Sequence, residues 1–319
     1  MGLTALAVGV AAALDGVVGE PPERVHPVAW FGRLVTALDR EWRRPRLAGT
    51  VAAVVLPCVA AAAVGALVGV AAAWRPVAGA VTAGLALFAT SSLRRLVVVA
   101  GEVTATSEAD LDRARKRLRA LAGRDASGLS PAQVRSAVVE SLAENLADGL
   151  VAPVGVFAVG GAVGLRAPAV ASSTLAVPVG PTVVALALAS GGAAWTKTVN
   201  TMDSMLGYRS KPVGWAAARL DDAVMWVPAR VTALLLAGVC LAPGTPLAAR
   251  AWLPAVPSPN SGWPMGTLAA ALGVRLEKPG VYAVGSGTLP TVADVTRARR
   301  RVTTAGGLTY LLAGVVVWG

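Results

Sequence analysis

The chain has 319 residues, 55% of them hydrophobic, with a mean hydropathy of +0.62 and a formal net charge of +11. That apolar content exceeds the roughly 45 to 50% of soluble domains and excludes an ordinary soluble globule. The positive charge does not point to nucleic acid, because most of the excess flanks apolar runs, as the positive-inside bias of membrane proteins predicts.

Residues 1 to 16 contain an apolar stretch, 3 to 14, that is short for a crossing, and no Lys or Arg precedes it as in a secretory signal. The sequence is therefore expected to keep it, as a partial, re-entrant or protein-buried segment. His26 follows "GEPPER" and is the one histidine; alone it is a poor metal ligand, and a structural hydrogen bond is the simpler expectation. Uncharged runs then occur at 51 to 73, 76 to 93, 149 to 165, 167 to 196 and 302 to 319. A spanning helix needs about 17 to 25 apolar residues, so these predict four or five spans, and four to six membrane segments once the short runs are counted. Cys58 and Cys240 lie in apolar segments without metal or redox spacing and read as buried small hydrophobes.

Segments 24 to 50 and 94 to 135 are Arg-rich, whereas the connections at Arg75 and Arg166 hold one cation each. The former are expected in the cytoplasm and the latter outside. Between residues 92 and 148 the pattern predicts two cytoplasmic helices. The first opens on a capping box of Ser107 and Asp110 and runs to Gly123. The second opens at Ser130, with Pro131 at its first position and Gln133 at its third, and stops before Gly149.

The end of that second helix reads "ESLAENLADGLVAP". At 100° per residue Glu140, Glu144, Asp148, Ser141 and Asn145 fall on one arc of about 140°. A solvated helix face accounts for Glu140 and Glu144 but poorly for Asn145, which lies within the stripe of Val138, Leu142 and Leu146 and needs a partner or ligand there. A second cluster, "WTKTVNTMDSMLGYR", places Lys197, Asn200, Asp203 and Ser204 on one face if helical. A third, "ARLDDAVMWVPAR", gathers Arg219, Asp221, Asp222 and Arg230 before an apolar run at 231 to 242. Adjacent carboxylates suit Mg²⁺ with its waters, and Arg or Lys suits phosphate. Interfacial ion pairs and snorkelling cations explain any one cluster; three together point to a polar site. A full crossing at 231 to 242 would put "RARRR" at 297 to 301 outside, so a re-entrant segment is expected there. Residues 258 to 280, with Pro257, Pro259, Gly262 and Pro264, predict a stiff loop rather than an element. The chain has no GxxxxGK[ST] phosphate loop.

Nearly end to end, these stretches resemble the CobD/CbiB family of membrane-bound adenosylcobinamide-phosphate synthases. The resemblance is carried by "LDGVVGEPPERVHPVAWFGRL" at 14 to 34, "ESLAENLADGLVAP" at 140 to 153, "KTVNTMDSMLGYR" at 197 to 209, "GWAAARLDDAV" at 214 to 224, "PAR" at 228 to 230 and "SPNSGWPMGTLAAALGVRLEKPG" at 258 to 280. It implies an all-α polytopic membrane protein of one domain over 1 to 319, with a cytoplasmic helical insertion at 92 to 148 and a cytoplasmic loop region at 250 to 301. The implied activity joins adenosylcobyric acid to aminopropanol or its phosphate, using ATP and Mg²⁺, at the cytoplasmic face of the cell membrane. Its partners would be the two substrates and the lipid bilayer, with no nucleic acid; the oligomeric state stays open.

The resemblance and the chemistry together assign Glu140, Glu144, Asp148, Lys197 and Asp222 to catalysis. They assign His26, Asn145, Asn200, Asp203, Arg209, Arg219, Arg230 and Asn260 to substrate binding, and Glu144, Asp221 and Asp222 to the metal. Met225 stands where the family pattern carries an asparagine, and the stretch from Gly160 to Thr196 is longer than the family's. The family also resembles the membrane protein AmpE, so a transporter or sensor with the same polar face is the alternative.

Overall fold

The computed structural model describes residues 2 to 123, 125 to 166, 180 to 208 and 210 to 318. Its elements, in chain order, are α1 (Leu3–Val17), α2 (Pro27–Thr36), α3 (Pro45–Trp74), α4 (Pro76–Thr90), α5 (Leu93–Thr106), α6 (Leu111–Leu118), α7 (Pro131–Leu146), α8 (Ala152–Arg166), α9 (Pro181–Leu206), α10 (Trp215–Val224), α11 (Trp226–Val239), α12 (Thr245–Ala249), α13 (Gly262–Leu272), the strands β1 (Arg275–Lys278) and β2 (Tyr282–Gly285), and α14 (Val292–Val316). The fold is all-α apart from one antiparallel hairpin, which pairs Arg275 with Gly285 and Lys278 with Tyr282.

Three helical stretches among the described residues are long and apolar enough to cross a membrane: Pro45–Trp74, Pro76–Thr106 and Pro131–Arg166. A fourth is added if Pro212–Val224 and Trp226–Val239, bent by 46°, count as one broken span. This is fewer than five full crossings. The run at 302 to 319 mostly forms the apolar half of α14, whose first half carries Arg297, Arg299, Arg300 and Arg301, and residues 167 to 179 lie outside the described structure. The bend beside 231 to 242 agrees with a broken or re-entrant segment, and α1 is a short apolar helix as expected. In α3 only 22% of the apolar window is buried, so Val51, Val55, Leu67 and Val70 face outward. Large exposed apolar surface of this kind is what a bilayer covers. Cys58, expected to be buried, is exposed on the same helix.

The chain divides into two compact units. The first comprises Met1–Ser92, Ala152–Val224 and Thr309–Gly319. Within it α9 packs against α3 and α8 through small residues. A Cβ at Gly164 would overlap the backbone of Ala185, and one at Gly191 would crowd the carbonyl of Ala61. Such contacts let helix backbones approach closely where no hydrophobic force separates helix from lipid. At the base of this unit Val35, Ala52, Met202, Leu206, Val213 and Ala217 form a core, flanked by Phe31, Leu38 and Trp42.

The second unit comprises Leu93–Val151 and Met225–Leu308. Here α7 opens on the Ser130–Gln133 capping box, both of whose reciprocal hydrogen bonds are made. It does not stop before Gly149: a turn of π-helix over Ala147–Val151 carries it into α8. Gly149 and its apolar neighbours offer no competing cap, and the wider turn absorbs the change of register. The Ser107 capping box is not formed. Ser107 Oγ instead donates to the Thr104 carbonyl, and Asp110 caps α6 by accepting from the Arg113 amide at 2.9 Å. A short aspartate directly before the helix is the stronger cap, and α5 already occupies the preceding residues. Residues 258 to 280 form an element after all. Pro264 sits in the first turn of α13, where its missing N–H is unneeded, and the hairpin strand β1 follows.

The end of α11 is closed by a Schellman arrangement in which the Ala242 amide donates to Ala237 and the Leu241 amide to Gly238. Leu241 occupies its left-handed position (φ 53°), where glycine is usual, and its side chain is exposed. Leu241→Gly is expected to raise unfolding stability by about 1 kcal/mol, because the steric penalty disappears without loss of packing. Thermal unfolding in detergent measures it; an unchanged or lowered midpoint would refute the strain.

Candidate functional site

In the first unit the last turns of α9 and the whole of α10 bring expected site residues together. Helical spacing sets Lys197, Asn200 and Asp203 on one face of α9. Asn200 is buried and its amide Nδ2 donates to Asp221 Oδ1 at 3.4 Å. Arg219 pairs with Asp222 at 3.4 Å, one turn along α10. Asp203 is held in place by tight backbone geometry: Gly207 and Gly214 follow it, and a Cβ at Gly207 would strike the Asp203 carboxylate. Burial, and then the negative charge of Asp222, push the Asp203 carboxyl up to about 6. The charge of Asp222 thus disfavours ionisation of Asp203, and burial raises the Asp222 carboxyl as well.

The fit to Mg²⁺ follows from these donors. Mg²⁺ is commonly held by one or two carboxylates, with water and phosphate completing its shell. Asp203, Asp221 and Asp222 fit that demand. Among the described residues no group of three or more His, Cys, Asp or Glu side chains is arranged to hold a metal by itself. Lys197 is half-buried on the same face of α9. Arg209 lies outside the described residues.

His26 stands apart from this group. Its Nδ1 accepts from the Val28 amide, capping α2, so the neutral ring carries its proton on Nε2, which donates to Glu20 at 3.3 Å. Both nitrogens are engaged. The imidazole thus makes structural hydrogen bonds of the kind expected of it.

In the second unit Glu140 is fully buried rather than solvated. Its carboxylate accepts from Ser136 Oγ at 3.0 Å and from the Tyr282 hydroxyl at 2.7 Å, and Ser136 Oγ also receives the Glu277 amide of β1 at 2.7 Å. Glu140 thus fastens the hairpin to α7. Asn145 finds the partner its apolar position demands: Nδ2 donates to the Leu121 carbonyl at 3.2 Å. Glu144 and Asp148 are half-buried, the latter in the π-helical turn. Arg230 and Asn260 meet directly. The guanidinium NH1 donates to Asn260 Oδ1 and to the Trp226 carbonyl, NH2 donates to the Pro259 carbonyl, and the group lies over the rings of Trp226 and Trp263. Met225, at the bend before α11, is buried.

Sequence reasoning missed Ser136 and Tyr282. Ser136 could have been found one turn before Glu140, but Tyr282 reaches it only through the hairpin, which the loop expectation concealed. Tyr282→Phe leaves a buried carboxylate short of a donor and is expected to lower stability by about 1 to 3 kcal/mol. Chemical denaturation of the detergent-solubilised protein measures it, and a silent substitution would remove Glu140 from this role.

The raised Asp203 carboxyl gives a pH signature. An unfolded Asp ionises near its ordinary 3.8, whereas the folded one keeps its proton to about 6. Between these values the folded state binds more protons, so stability falls as pH rises through the window and is flat above it. Asp203→Asn should abolish that fall and unfold later than wild type above pH 6. Identical slopes from pH 4 to 6 in both proteins would show that Asp203 does not carry the strain.

A family model described as CobD/Cbib protein matches residues 8 to 306. A probable cobalamin biosynthesis protein CobD of Methanothrix thermoacetophila is 35% identical, with 95% of this chain and 94% of that protein covered. Cobalamin biosynthesis protein CobD of Klebsiella pneumoniae and CbiB of Salmonella typhimurium are each 34% identical, covering 92% of this chain and 89% of each relative. No solved structure matches.

Proposed function

The chain belongs to the CobD/CbiB family, and on that premise we propose that it acts in cobalamin biosynthesis as an amide-forming ligase, joining the carboxylate of adenosylcobyric acid to aminopropanol or its phosphate with ATP. The relatives are named for cobalamin biosynthesis, and the ligase chemistry is the reading that the carboxylate and cation groups support. The observation that carries it is the polar cluster at the end of α9 and on α10, where Asn200 donates to Asp221, Arg219 pairs with Asp222, and the charge of Asp222 raises the Asp203 carboxyl.

At neutral pH a carboxylate and an ammonium form a salt, so the acid must first become an electrophile. In the simplest course a carboxylate oxygen of the corrinoid attacks the γ-phosphorus of ATP, ADP leaves, and an acyl phosphate results. The amine nitrogen then attacks the acyl carbon, phosphate leaves, and the nitrogen gives up its proton to a carboxylate of the same set. Asp221 and Asp222, with Asp203, would hold Mg²⁺, which supplies charge neutralisation at phosphate when bound. Lys197 supplies fixed positive charge where the transferring phosphoryl group gathers negative charge. Arg219, paired with Asp222, keeps that carboxylate oriented.

The test uses purified full-length protein in detergent. ATP should be consumed only when the corrinoid acid and the amine are both present, and corrinoid amide should form in step with ADP. Asp222→Asn should lower kcat/KM by about 100-fold or more. Lys197→Met should reduce kcat far more than corrinoid binding. Activity that required sealed vesicles would identify a transporter instead, and equal losses of binding and kcat for Lys197→Met would remove its transition-state role.

A further inference from the structure

The first unit carries a half-open cavity of about 1000 Å³ at the start of the spanning helix α3. Its lining includes the stripe Leu47, Val51 and Val55, spaced four residues apart on one helix face, together with Leu38 and Trp42. Arg43 and Arg44 also line it, at the end where α3 begins. Both arginines are exposed, and neither makes an ion pair among the described residues. Of the nearby acidic residues, Asp39 is already bound to Lys211 at 2.6 Å and Glu41 is exposed and makes no ion pair among the described residues, and Arg40 lies over the Trp42 ring.

We propose that this groove binds one anionic phospholipid, with an acyl chain along Leu47, Val51 and Val55 and the headgroup phosphate held by Arg43 and Arg44. Three features select that occupant. The groove wall is apolar for about two turns, and eleven residues of helix rise separate Arg44 from Val55, about 16 Å, which matches the depth of one leaflet of a hydrocarbon core about 30 Å thick. The charge stands only at the mouth, where a headgroup would lie, and guanidinium groups suit phosphate by paired N–H donation. Trp42 lies beside the same mouth, at the level where indoles concentrate in membranes. A soluble phosphate compound would use the rim and leave the apolar wall in water. The proposal does not depend on the ligase reading.

The groove's inner wall belongs to the core beneath the carboxylate group. Leu38, Trp42, Ala52 and Leu56 pack with Met202 and Leu206 of α9 and Ala217 of α10, residues of the same two helices that carry Asn200, Asp203, Asp221 and Asp222. A bound chain would therefore stiffen the support of those side chains without touching them.

Native mass spectrometry and thermal unfolding of the full-length protein in neutral detergent test this, with dioleoylphosphatidylglycerol, dioleoylphosphatidylcholine and glycerol phosphate as probes. The anionic lipid should bind about tenfold or more tightly than the neutral one, the scale expected for two arginines at an anionic surface. Arg43→Gln with Arg44→Gln should erase that preference and leave phosphatidylcholine binding as it was. Val51→Trp, which fills the groove from an exposed position, should weaken both lipids while the lipid-free unfolding midpoint stays near wild type. Equal binding of the two lipids to the wild-type protein, a preference that survives the double substitution, or displacement of lipid by glycerol phosphate at equal concentration would each overturn the proposal.

Discussion

Close backbone contact between helices is the constraint on which the first unit depends. In lipid there is no water to drive apolar faces together, so α9 is held by proximity, with Gly164 and Ala185 on one side and Gly191 and Ala61 on the other. Hydroxyls along the apolar helices complete the arrangement by bonding to the carbonyl one turn back, as Thr196 does to Gly192 and Thr198 to Ala194. A helix clamped this way presents its polar end in a fixed orientation. Lys197, Asn200 and Asp203 are therefore positioned by residues that have no chemistry of their own.

The carboxylates divide by how completely they are satisfied. Glu140 is buried with two hydroxyl donors and links α7 to the hairpin, which is the pattern of a structural group. Asp203 is partly buried beside a second carboxylate, which raises its pKa instead of settling its charge. The first arrangement stabilises a fold, and the second is poised for a cation or a proton. Residue type does not separate the two cases; the identity of the neighbours does.

The arginines of the second unit have a similar double reading. Arg115 donates to the Leu129 carbonyl, Arg135 to Pro290, Arg299 to Val97 and Arg301 to Val239. Each meets a main-chain oxygen, and that of Val239 is the last of α11, where carbonyls lack an internal partner. The cluster at 297 to 301 is thus a set of fasteners as well as a topological signal, and its charge alone does not fix which side of a membrane it occupies.

The sequence by itself determined the all-α membrane class, the Ser130 cap and the helical face of Lys197, Asn200 and Asp203. Those features rest on hydropathy and on spacings of three and four residues, which are local quantities. It also marked Asn145 as needing a partner, because one polar group in an apolar stripe is visible from periodicity alone. Only the tertiary structure decided that Glu140 is buried against Tyr282, that Arg230 is locked between two indoles and Asn260, and that residues 262 to 285 form a helix and hairpin. The Glu140 and Arg230 contacts join segments far apart in the chain, and periodicity carries no information about which segments meet; the helix and hairpin are local, and were hidden by prolines that stand before and in the first turn of α13. The passage of α7 into α8 lay between the two: the sequence showed a glycine and an apolar run, which suit a stop or a continuation alike, and the structure takes the continuation through a wider turn.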